Sequence, residues 1–397
     1  MQKKATAVLR VLIIIFAWAA GGYTLYKYEF FSAFGDIDHV VGMVPVALVL
    51  TGAVGITVLL LMKHVKRLAP VSAVVALLVI LSVALFPTAL KANWWIGTTT
   101  PGGQEAAPDL TAYAPFAADS KAVKLSEEST LLFTHTLPVM DGATALYPVY
   151  AAFAQAVYDE TAFSPDNVLC TNTRGAYEAV ISGERDIIFA AGASAQQLAA
   201  AKAAGADLHF TPIGHEAFIF LVGKENPITN ITYSQIRNIY SGKTANWGTL
   251  GWPEGGKIIA FQRPEGSGSQ TGLQKIMGNI PIQVPQPLPD ASLTGTNSLM
   301  KQVSVTWQGV MPAIGYSYRY YATTMYANSD AKILSVDSLA PSAENIQNKT
   351  YPFTADFYAV TNGKPAGNVK LLIDWILSPQ GQEIIQKTGY IPLSENV

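Results

Sequence analysis

Long apolar stretches with almost no charged residues dominate the first quarter of the chain, at about 11–27, 40–62 and 70–90. Each is close to the roughly 20 apolar residues that an α-helix needs to cross the hydrocarbon core of a bilayer. Buried core helices would be the alternative, but so many apolar stretches in so short a segment leave nothing to cover them. The pattern therefore predicts a membrane anchor of three transmembrane helices within residues 1–91.

The charges that flank these stretches predict their orientation. Lys3, Lys4 and Arg10 precede the first stretch, and the basic loop 63–67 separates the second from the third, whereas the loop between the first two is acidic. Because basic loops stay in the cytoplasm, we expect a multi-pass cell-membrane protein with a cytoplasmic N-terminus and an extracytoplasmic C-terminal domain. The first stretch also has features of a signal peptide, and its cleavage would leave the C-terminal domain on the same side.

Beyond the anchor the pattern changes. Residues 92–128 are predicted to be a stalk or linker, because Gly, Pro and Thr are frequent in its first half. From about residue 129 to 397, short apolar runs typical of strands alternate with amphipathic segments typical of helices. This alternation predicts an α/β architecture in which helices cover parallel sheets, and its length favours two lobes.

The individual elements follow from the same periodicities. The predicted helices are Tyr147–Tyr158, Arg174–Ser182, Ala195–Ala203, Tyr233–Ser241, Gln270–Met277, Val369–Leu377 and Gln380–Lys387. The predicted strands are Asp186–Ala191, Ala217–Val222, Lys257–Phe261, Ala313–Tyr316 and Phe357–Thr361.

Composition and charge exclude several classes of protein. The chain is 50% hydrophobic and 14% charged, with a formal net charge of −2, which argues against a disordered chain and a nucleic-acid binder. The single cysteine, Cys170, allows no intramolecular disulfide, and the five histidines lack the spacing of a zinc hydrolase. We therefore expect no metal, no cofactor and no catalytic residues.

Three junctions place small hydroxyl residues and glycine where a helix begins. They are the segments Asp141–Pro148, Thr171–Gly175 and Arg263–Thr271. Unpaired N–H groups and the positive end of the helix dipole make such positions suitable for anions, and Arg263 adds a guanidinium that fits an oxyanion. Helix capping is the alternative explanation for the Ser, Thr and Asn residues at each junction.

The third junction is more specific than a cap requires. The run Gly266–Ser269 contains two glycines that let a ligand approach the backbone closely, and the upstream arginine has no role in capping. The run is not a nucleotide P-loop, because no Gly-Lys-Ser/Thr follows. It also lacks the five-residue spacing of a nucleophile elbow.

Ordered blocks of the outer part resemble the phosphate-type solute-binding proteins of ABC importers, in particular a membrane-tethered branch found in Gram-positive bacteria. The resemblance runs from about Tyr113 to Leu393. The blocks that carry it are Asp141–Pro148, Gly175–Phe189, Thr211–Phe220, Ile236–Trp247, Phe261–Thr271, Ala313–Tyr321 and Leu372–Leu393.

The resemblance implies a type II periplasmic-binding-protein-like domain over 129–397, with lobe 1 at about 129–211 and 313–397 and lobe 2 at about 212–312. It also implies an extracytoplasmic receptor for phosphate or a similar inorganic oxyanion, with ABC permease and ATPase subunits and membrane lipid as partners. By position, the ligand-binding residues of the family correspond to Thr144, Ala145, Asn172, Thr173, Arg263, Ser267, Gly268 and Ser269.

One departure from the family leaves the ligand open. Well-studied phosphate binders place an aspartate after the strand that corresponds to Asp186–Ala191, where it accepts a proton from the ligand. Here the chain continues Gly192-Ala193-Ser194, without a carboxylate. A site of donors alone does not select a protonated oxyanion over a fully ionised one such as sulfate.

Other functions are compatible with the same residues. A ligand sensor that relays lobe closure through the membrane would use the same binding domain. A hydrolase would need a nucleophile, and Cys170 beside the second junction is more typical of a small core residue. Glu184 and Asp186 are more typical of a solvated turn than of an acid–base pair.

Overall fold

The structure, a computed structural model, describes residues 109–284, 312–325 and 331–393. All of these residues belong to one compact unit. The predicted transmembrane helices and residues 92–108 of the predicted stalk lie outside them, as does part of the predicted lobe 2. Within the described ranges, no helix has the length and apolar character needed to span a bilayer.

The helices begin and end close to the positions that the sequence predicts, because caps mark their limits. Ser194, Thr232, Ser267 and Ser342 each accept an N–H of the helix that follows, and Gly183, Gly205 and Gly389 end helices in the left-handed conformation. The helices are α1 Tyr147–Val157, α2 Asn172–Ser182, α3 Ala195–Ala204, α4 Tyr233–Tyr240, α5 Gly268–Met277, α6 Ala343–Gln347, α7 Gly367–Ile376 and α8 Pro379–Thr388.

The strands form one large sheet and a short pair. They are β1 Met140–Gly142, β2 Ile187–Ala191, β3 Leu208–Gly223, β4 Asn230–Ile231, β5 Ile259–Ala260, β6 Ala313–Tyr318, β7 Ala331–Ile333, β8 Ser335–Val336 and β9 Thr354–Asn362. The large sheet has the order β1-β2-β9-β3-β6-β5, with β7 also paired to β3, and β4 pairs with β8.

The sheet is mixed, so the expectation of parallel sheets holds for only some of its pairs. The pairs β1–β2, β5–β6 and β4–β8 are parallel, whereas β2–β9, β9–β3, β3–β6 and β3–β7 are antiparallel. The physical reason is that β9, from late in the chain, inserts between β2 and β3. The consecutive strands β2 and β3 are therefore not neighbours, and the alternation of strand and helix does not reveal this.

Strand β3 is a continuous 16-residue strand whose partner changes along its length. It pairs with β9 up to Ala217 and with β6 from Phe218, with a bulge between Pro212 and Gly214. The lobe boundaries at 211/212 and 312/313 stay a prediction, and β6 lies against the far half of β3. A polar interruption near the bulge shortens the apolar run, so the sequence predicts only Ala217–Val222.

The larger core lies where β1, β2 and β9 meet α1, α7 and α8. Phe153 of α1 is fully buried between Phe189 of β2 and Trp375 of α7, with ring centroids 5.8 and 6.1 Å away. Each buried side chain of this size removes apolar surface worth roughly 2–3 kcal/mol. This packing fixes the ends of β1 and β2, and the first two junctions extend from that region.

Candidate functional site

Three helix starts present main-chain N–H groups in the described part of the chain. A 3₁₀ turn at Thr144–Leu146 leads into α1, and α2 and α5 begin directly after their loops. Five N–H groups at these starts donate to no acceptor among the described residues, as expected for a first helical turn. They belong to Thr144, Ala145, Thr173, Gly268 and Ser269.

The first and second junctions are joined by Asp141, a fully buried residue of β1. Its Oδ1 accepts the N–H of Gly142 at 2.7 Å and the N–H of Thr171 at 2.8 Å. Its Oδ2 accepts the Thr171 hydroxyl at 2.7 Å and lies 3.4 Å from Nε of Arg185. Because a buried carboxylate is costly without partners, these contacts hold the start of α2 against the end of β1.

At the second junction the Asn172 side chain acts as a cap. Asn172 has φ of +65°, and its side-chain oxygen accepts the N–H groups of Arg174 at 3.0 Å and Gly175 at 3.3 Å. Asparagine tolerates the left-handed region better than most residues because its short amide bonds locally. The capping alternative therefore describes this side chain, and the adjacent Thr173 provides the free N–H.

Capping also accounts for the Ser267 side chain at the third junction. Its hydroxyl accepts the N–H of Gln270 at 3.2 Å, and its own N–H donates to the carbonyl of Pro264 at 3.2 Å. Gly266 adopts φ of +81°, a conformation that favours glycine. The N–H groups left for a ligand are those of Gly268 and Ser269.

The second and third junctions contact each other. A Cβ atom on Gly268 would lie 3.1 Å from Oγ1 of Thr173, so the absence of a side chain permits this approach. Beside it, Gly266 lies against the side chain of Arg174, and Nε2 of Gln197 donates to the Gly266 carbonyl at 3.2 Å. The third junction thus packs on the N-terminal ends of α2 and α3.

The backbone of Arg263 is fixed, and its guanidinium lies beside an aromatic ring. Its N–H is shared between Oε1 of Gln270 at 3.1 Å and the hydroxyl of Tyr316 at 2.8 Å. The guanidinium carbon lies 5.9 Å from the centroid of the Tyr321 ring. This arrangement keeps a half-buried positive charge next to the loop that precedes α5.

Together these contacts form one cluster: Asp141 joins the first two junctions, and Gly268 meets Thr173. A model of the PBP superfamily domain matches residues 134–380, which is more than half of the chain. The chain belongs to the PBP superfamily.

Individual relatives are more distant. The phosphate-binding protein PstS of Borreliella burgdorferi is 28% identical over 186 residues, which is 46% of this chain and 64% of that protein. PstS of Bacillus subtilis is 27% identical over 183 residues, covering 45% of this chain and 57% of the relative. The matched segment therefore spans less than two thirds of either relative.

Solved structures match a larger share of the chain than these relatives do. A putative phosphate ABC transporter substrate-binding protein with bound phosphate, from Clostridium perfringens, is 25% identical with a TM-score of 0.49. The match covers 65% of this chain and 99% of that one. An ABC-type phosphate transport receptor from Vibrio cholerae is 19% identical with a TM-score of 0.46, covering 64% of this chain and 99% of the other.

After β2, the loop of this PBP superfamily member contacts a lysine. A Cβ atom on Gly192 would lie 2.7 Å from Nζ of Lys275 on α5, so the ammonium occupies the space beside this glycine. Burial lowers the pKa of Lys275. Ser194 and Gln197 form the capping box of α3. The ammonium of Lys275 therefore lies beside this loop, whose sequence contains no carboxylate.

The structure favours a packing role for the residues considered as catalytic. Sγ of Cys170 lies 3.7 Å from the Gly142 carbonyl and 3.8 Å from Oγ1 of Thr144, and burial raises the thiol pKa. A raised pKa keeps the thiol protonated and poorly nucleophilic. Oδ2 of Asp186 accepts the N–H of Val139 at 2.7 Å, which is a structural contact. Within the described ranges, no cluster of His, Cys, Asp and Glu side chains fits a metal ion.

Sequence reasoning missed the residues that hold the junctions together. The sequence does not assign Asp141, Thr171 or Gln197 to ligand binding, and the hydrogen bonds through which they hold the junctions appear only in the fold. One signal was available for Asp141, because a carboxylate inside the apolar-flanked run Val139–Gly142 needs buried partners. The Gln197 contact joins residues 69 positions apart, and no local pattern predicts it.

Proposed function

We propose that the PBP superfamily domain binds an inorganic oxyanion, with phosphate as the first candidate, and serves as the substrate-binding component of an ABC importer. The observation that carries the proposal is the cluster of three helix starts with five N–H groups that have no acceptor among the residues that the structure describes. Tetrahedral oxyanions present several acceptor oxygens and fit such a cluster. The names of the relatives, which are phosphate-binding proteins, support phosphate within this class.

The charges near the cluster favour an anion. Arg263 and Lys275 add two cations, while the buried Asp141 is balanced by Arg185 and by the Thr171 N–H and hydroxyl. Charge-assisted hydrogen bonds are roughly twice as strong as neutral ones. We therefore propose a binding function rather than catalysis, with Thr144, Ala145, Thr173, Gly268 and Ser269 as main-chain donors and Arg263 as the charged donor.

Binding is tested by calorimetric titration of the detergent-purified full-length chain with phosphate and with sulfate, between pH 5 and 8. Because no carboxylate follows β2, we expect both ions to bind and the sulfate affinity to vary little with ligand protonation. Nitrate, which is planar, is the control ion and should bind much more weakly. Failure of both tetrahedral ions to bind would contradict the proposal.

We also propose that residues 1–91 anchor the domain in the cell membrane, with the N-terminus in the cytoplasm and the domain outside. The support is the pattern of apolar stretches and basic loops alone. Protease added to intact protoplasts should then digest the region from residue 109 onward, while a cytoplasmic marker protein stays intact. Protection of this region until the membrane is permeabilised would reverse the proposed orientation.

A further inference from the structure

Two segments that connect the halves of the large sheet run side by side. Strand β3 leaves β9 after Ala217 and joins β6 at Phe218, which pairs with Tyr318. Strand β6 ends at this same residue, and the chain then enters the π-helical turn Tyr321–Met325. We call these neighbouring segments, residues 216–218 and 318–320, the crossing pair.

One buried carboxylate connects both members of the crossing pair. Glu216 is 4% exposed, and its Oε1 accepts the N–H of Ala217 at 2.8 Å. Its Oε2 accepts the N–H of Tyr320 at 3.0 Å, an N–H at the start of a helical turn that has no partner within the turn. Glu216 therefore ties the two crossing segments to each other.

A short chain of contacts leads from this carboxylate to the first junction. The Tyr320 ring stacks on the Tyr390 ring, with centroids 4.3 Å apart and an interplanar angle of 29°. The Tyr390 hydroxyl donates to the carbonyl of Ala145. Ala145 contributes one of the five free N–H groups of the cluster. This chain of contacts, which begins at the crossing pair, therefore holds the peptide planes of the 3₁₀ turn at the first junction.

We propose that Glu216 and Tyr390 are positioning residues that couple the crossing pair to the oxyanion cluster. Glu216 sets the relative position of the two crossing segments, and Tyr390 transmits that position to the Ala145 carbonyl. The inference rests on the proposed function, because its consequence is a change in anion affinity. The coupling itself is a property of the free protein and can be measured without a ligand.

The surroundings of Glu216 make this coupling sensitive to pH. Arg319 is the charged group that faces it, and the hydroxyl-bearing rings of Tyr318, Tyr320 and Tyr390 surround it. His215, its neighbour in β3, instead pairs with Asp356 through Nδ1 at 2.7 Å. Burial raises the pKa of Glu216 to about 7, although its two N–H bonds and Arg319 lower it.

The sign of the effect follows from linkage. Burial raises the pKa of Glu216 from 4.5 to about 7, so the arrangement that buries Glu216 binds a proton more tightly than one that exposes it. The buried arrangement is therefore favoured at low pH and loses stability as the pH rises from about 4.5 to 7. Ionised Glu216 favours any arrangement in which water reaches it. We therefore expect the crossing pair to loosen, and the first junction with it, from pH 5 to 7, with little further change above 7.

The coupling is tested first by amide hydrogen exchange of the ligand-free, full-length chain at pH 5, 6, 7 and 8, corrected for intrinsic rates. The reporters are the N–H groups of Leu146 and Tyr147, which bond within the 3₁₀ turn. Glu216→Gln should remove the pH dependence of their protection, and Tyr390→Phe should lower their protection at every pH. Tyr158→Phe is the matched control, because it also removes a buried hydroxyl bond to a carbonyl, that of Pro138 at 2.6 Å.

Affinity provides the second readout. The ratio of the wild-type to the Glu216→Gln dissociation constant for phosphate should rise by about tenfold between pH 5 and 7 and then level off, since ligand protonation cancels in the ratio. Tyr390→Phe should weaken binding by about threefold to tenfold. A flat ratio, with unchanged exchange at Leu146 and Tyr147, would overturn the coupling. If the wild type binds no oxyanion, the proposed function fails, and the exchange data decide the coupling on their own.

Discussion

The first two junctions and the third junction present similar N–H groups but are held in different ways. Asp141 ties the first two junctions together through a buried charge that accepts three hydrogen bonds and pairs with Arg185. The buried contacts of the third junction are chiefly neutral: the Arg263 N–H donates to Gln270 and Tyr316, and the junction meets the others through Gly268 and Gln197. From this difference we expect the first two junctions to stay together and the third to separate from them more readily.

This difference has a physical basis in the cost of each kind of contact. Removing one partner of a buried ion pair costs about 3–5 kcal/mol, so the first two junctions separate only when the core is disrupted. A neutral hydrogen bond contributes about 0.5–1.5 kcal/mol net, so the contact at the Gly266 carbonyl can break and re-form. We therefore expect ligand binding to change mainly the neutral hydrogen bonds, such as the one at the Gly266 carbonyl.

The largest expected effect is that of Asp141→Ala. This change leaves Arg185 and the Thr171 donors without their buried acceptor, and we expect a loss of about 3–5 kcal/mol in the free energy of unfolding. Urea unfolding of the full-length chain, followed by tryptophan fluorescence, measures it. Glu265→Ala is the matched control, because this acid of the third junction is exposed and accepts a hydrogen bond from Nε2 of Gln274, at 2.6 Å, on the surface. Equal losses for both variants would contradict the comparison.

Arg263→Ala should leave folding nearly unchanged and weaken anion binding. A charge-assisted hydrogen bond contributes roughly 1.5–3 kcal/mol, so the affinity for phosphate should fall by about tenfold to more than a hundredfold. Calorimetry measures this change. Lys370→Ala removes a cation that pairs with Asp374 on the surface of α7 and should have no effect on binding. An unchanged affinity in Arg263→Ala would remove Arg263 from the site.

The smallest effect is expected for Gln197→Glu, which separates capping from the contact with the third junction. The new carboxylate can still accept the N–H of Ser194, as Oε1 of Gln197 does at 2.8 Å, but it no longer donates to the Gly266 carbonyl. We expect the dissociation rate of the anion to rise by about twofold to tenfold.

Gln235→Glu provides the control for this change, since Gln235 occupies the same capping-box position in α4 and accepts the N–H of Thr232 at 2.8 Å. Stopped-flow measurement of ligand release compares the two variants at equal helix stability. If both variants release the anion at the wild-type rate, the Gln197 contact does not hold the third junction.

Local elements of the fold were predictable from the sequence, and long-range pairings were not. The helix α5 and its start follow from Ser267 and the amphipathic run after it, because caps and periodicity are local signals. The place of β9 between β2 and β3 depends on contacts between residues more than 140 positions apart, such as Phe210 with Val360. No periodicity in one segment encodes such a partner.

The same distinction applies to the candidate site. The three junctions were recognisable, because glycine, hydroxyl residues and an arginine before a helix form a local pattern. Whether a serine or asparagine caps its own helix or offers a donor depends on rotamers and neighbours, as Asn172 and Ser267 show. The buried acceptor Asp141 depends on the packing of β1, which the sequence does not specify by itself.

The position of β9 in the sheet has a consequence for the order in which the chain folds. Strands β2 and β3 are synthesised early, yet β2 and the first part of β3, up to Ala217, pair with β9, which follows more than 100 residues later. Until then both present unpaired strand edges, which are prone to associate with other chains. Folding of the first two junctions, which rest on these strands, should therefore be the slow step.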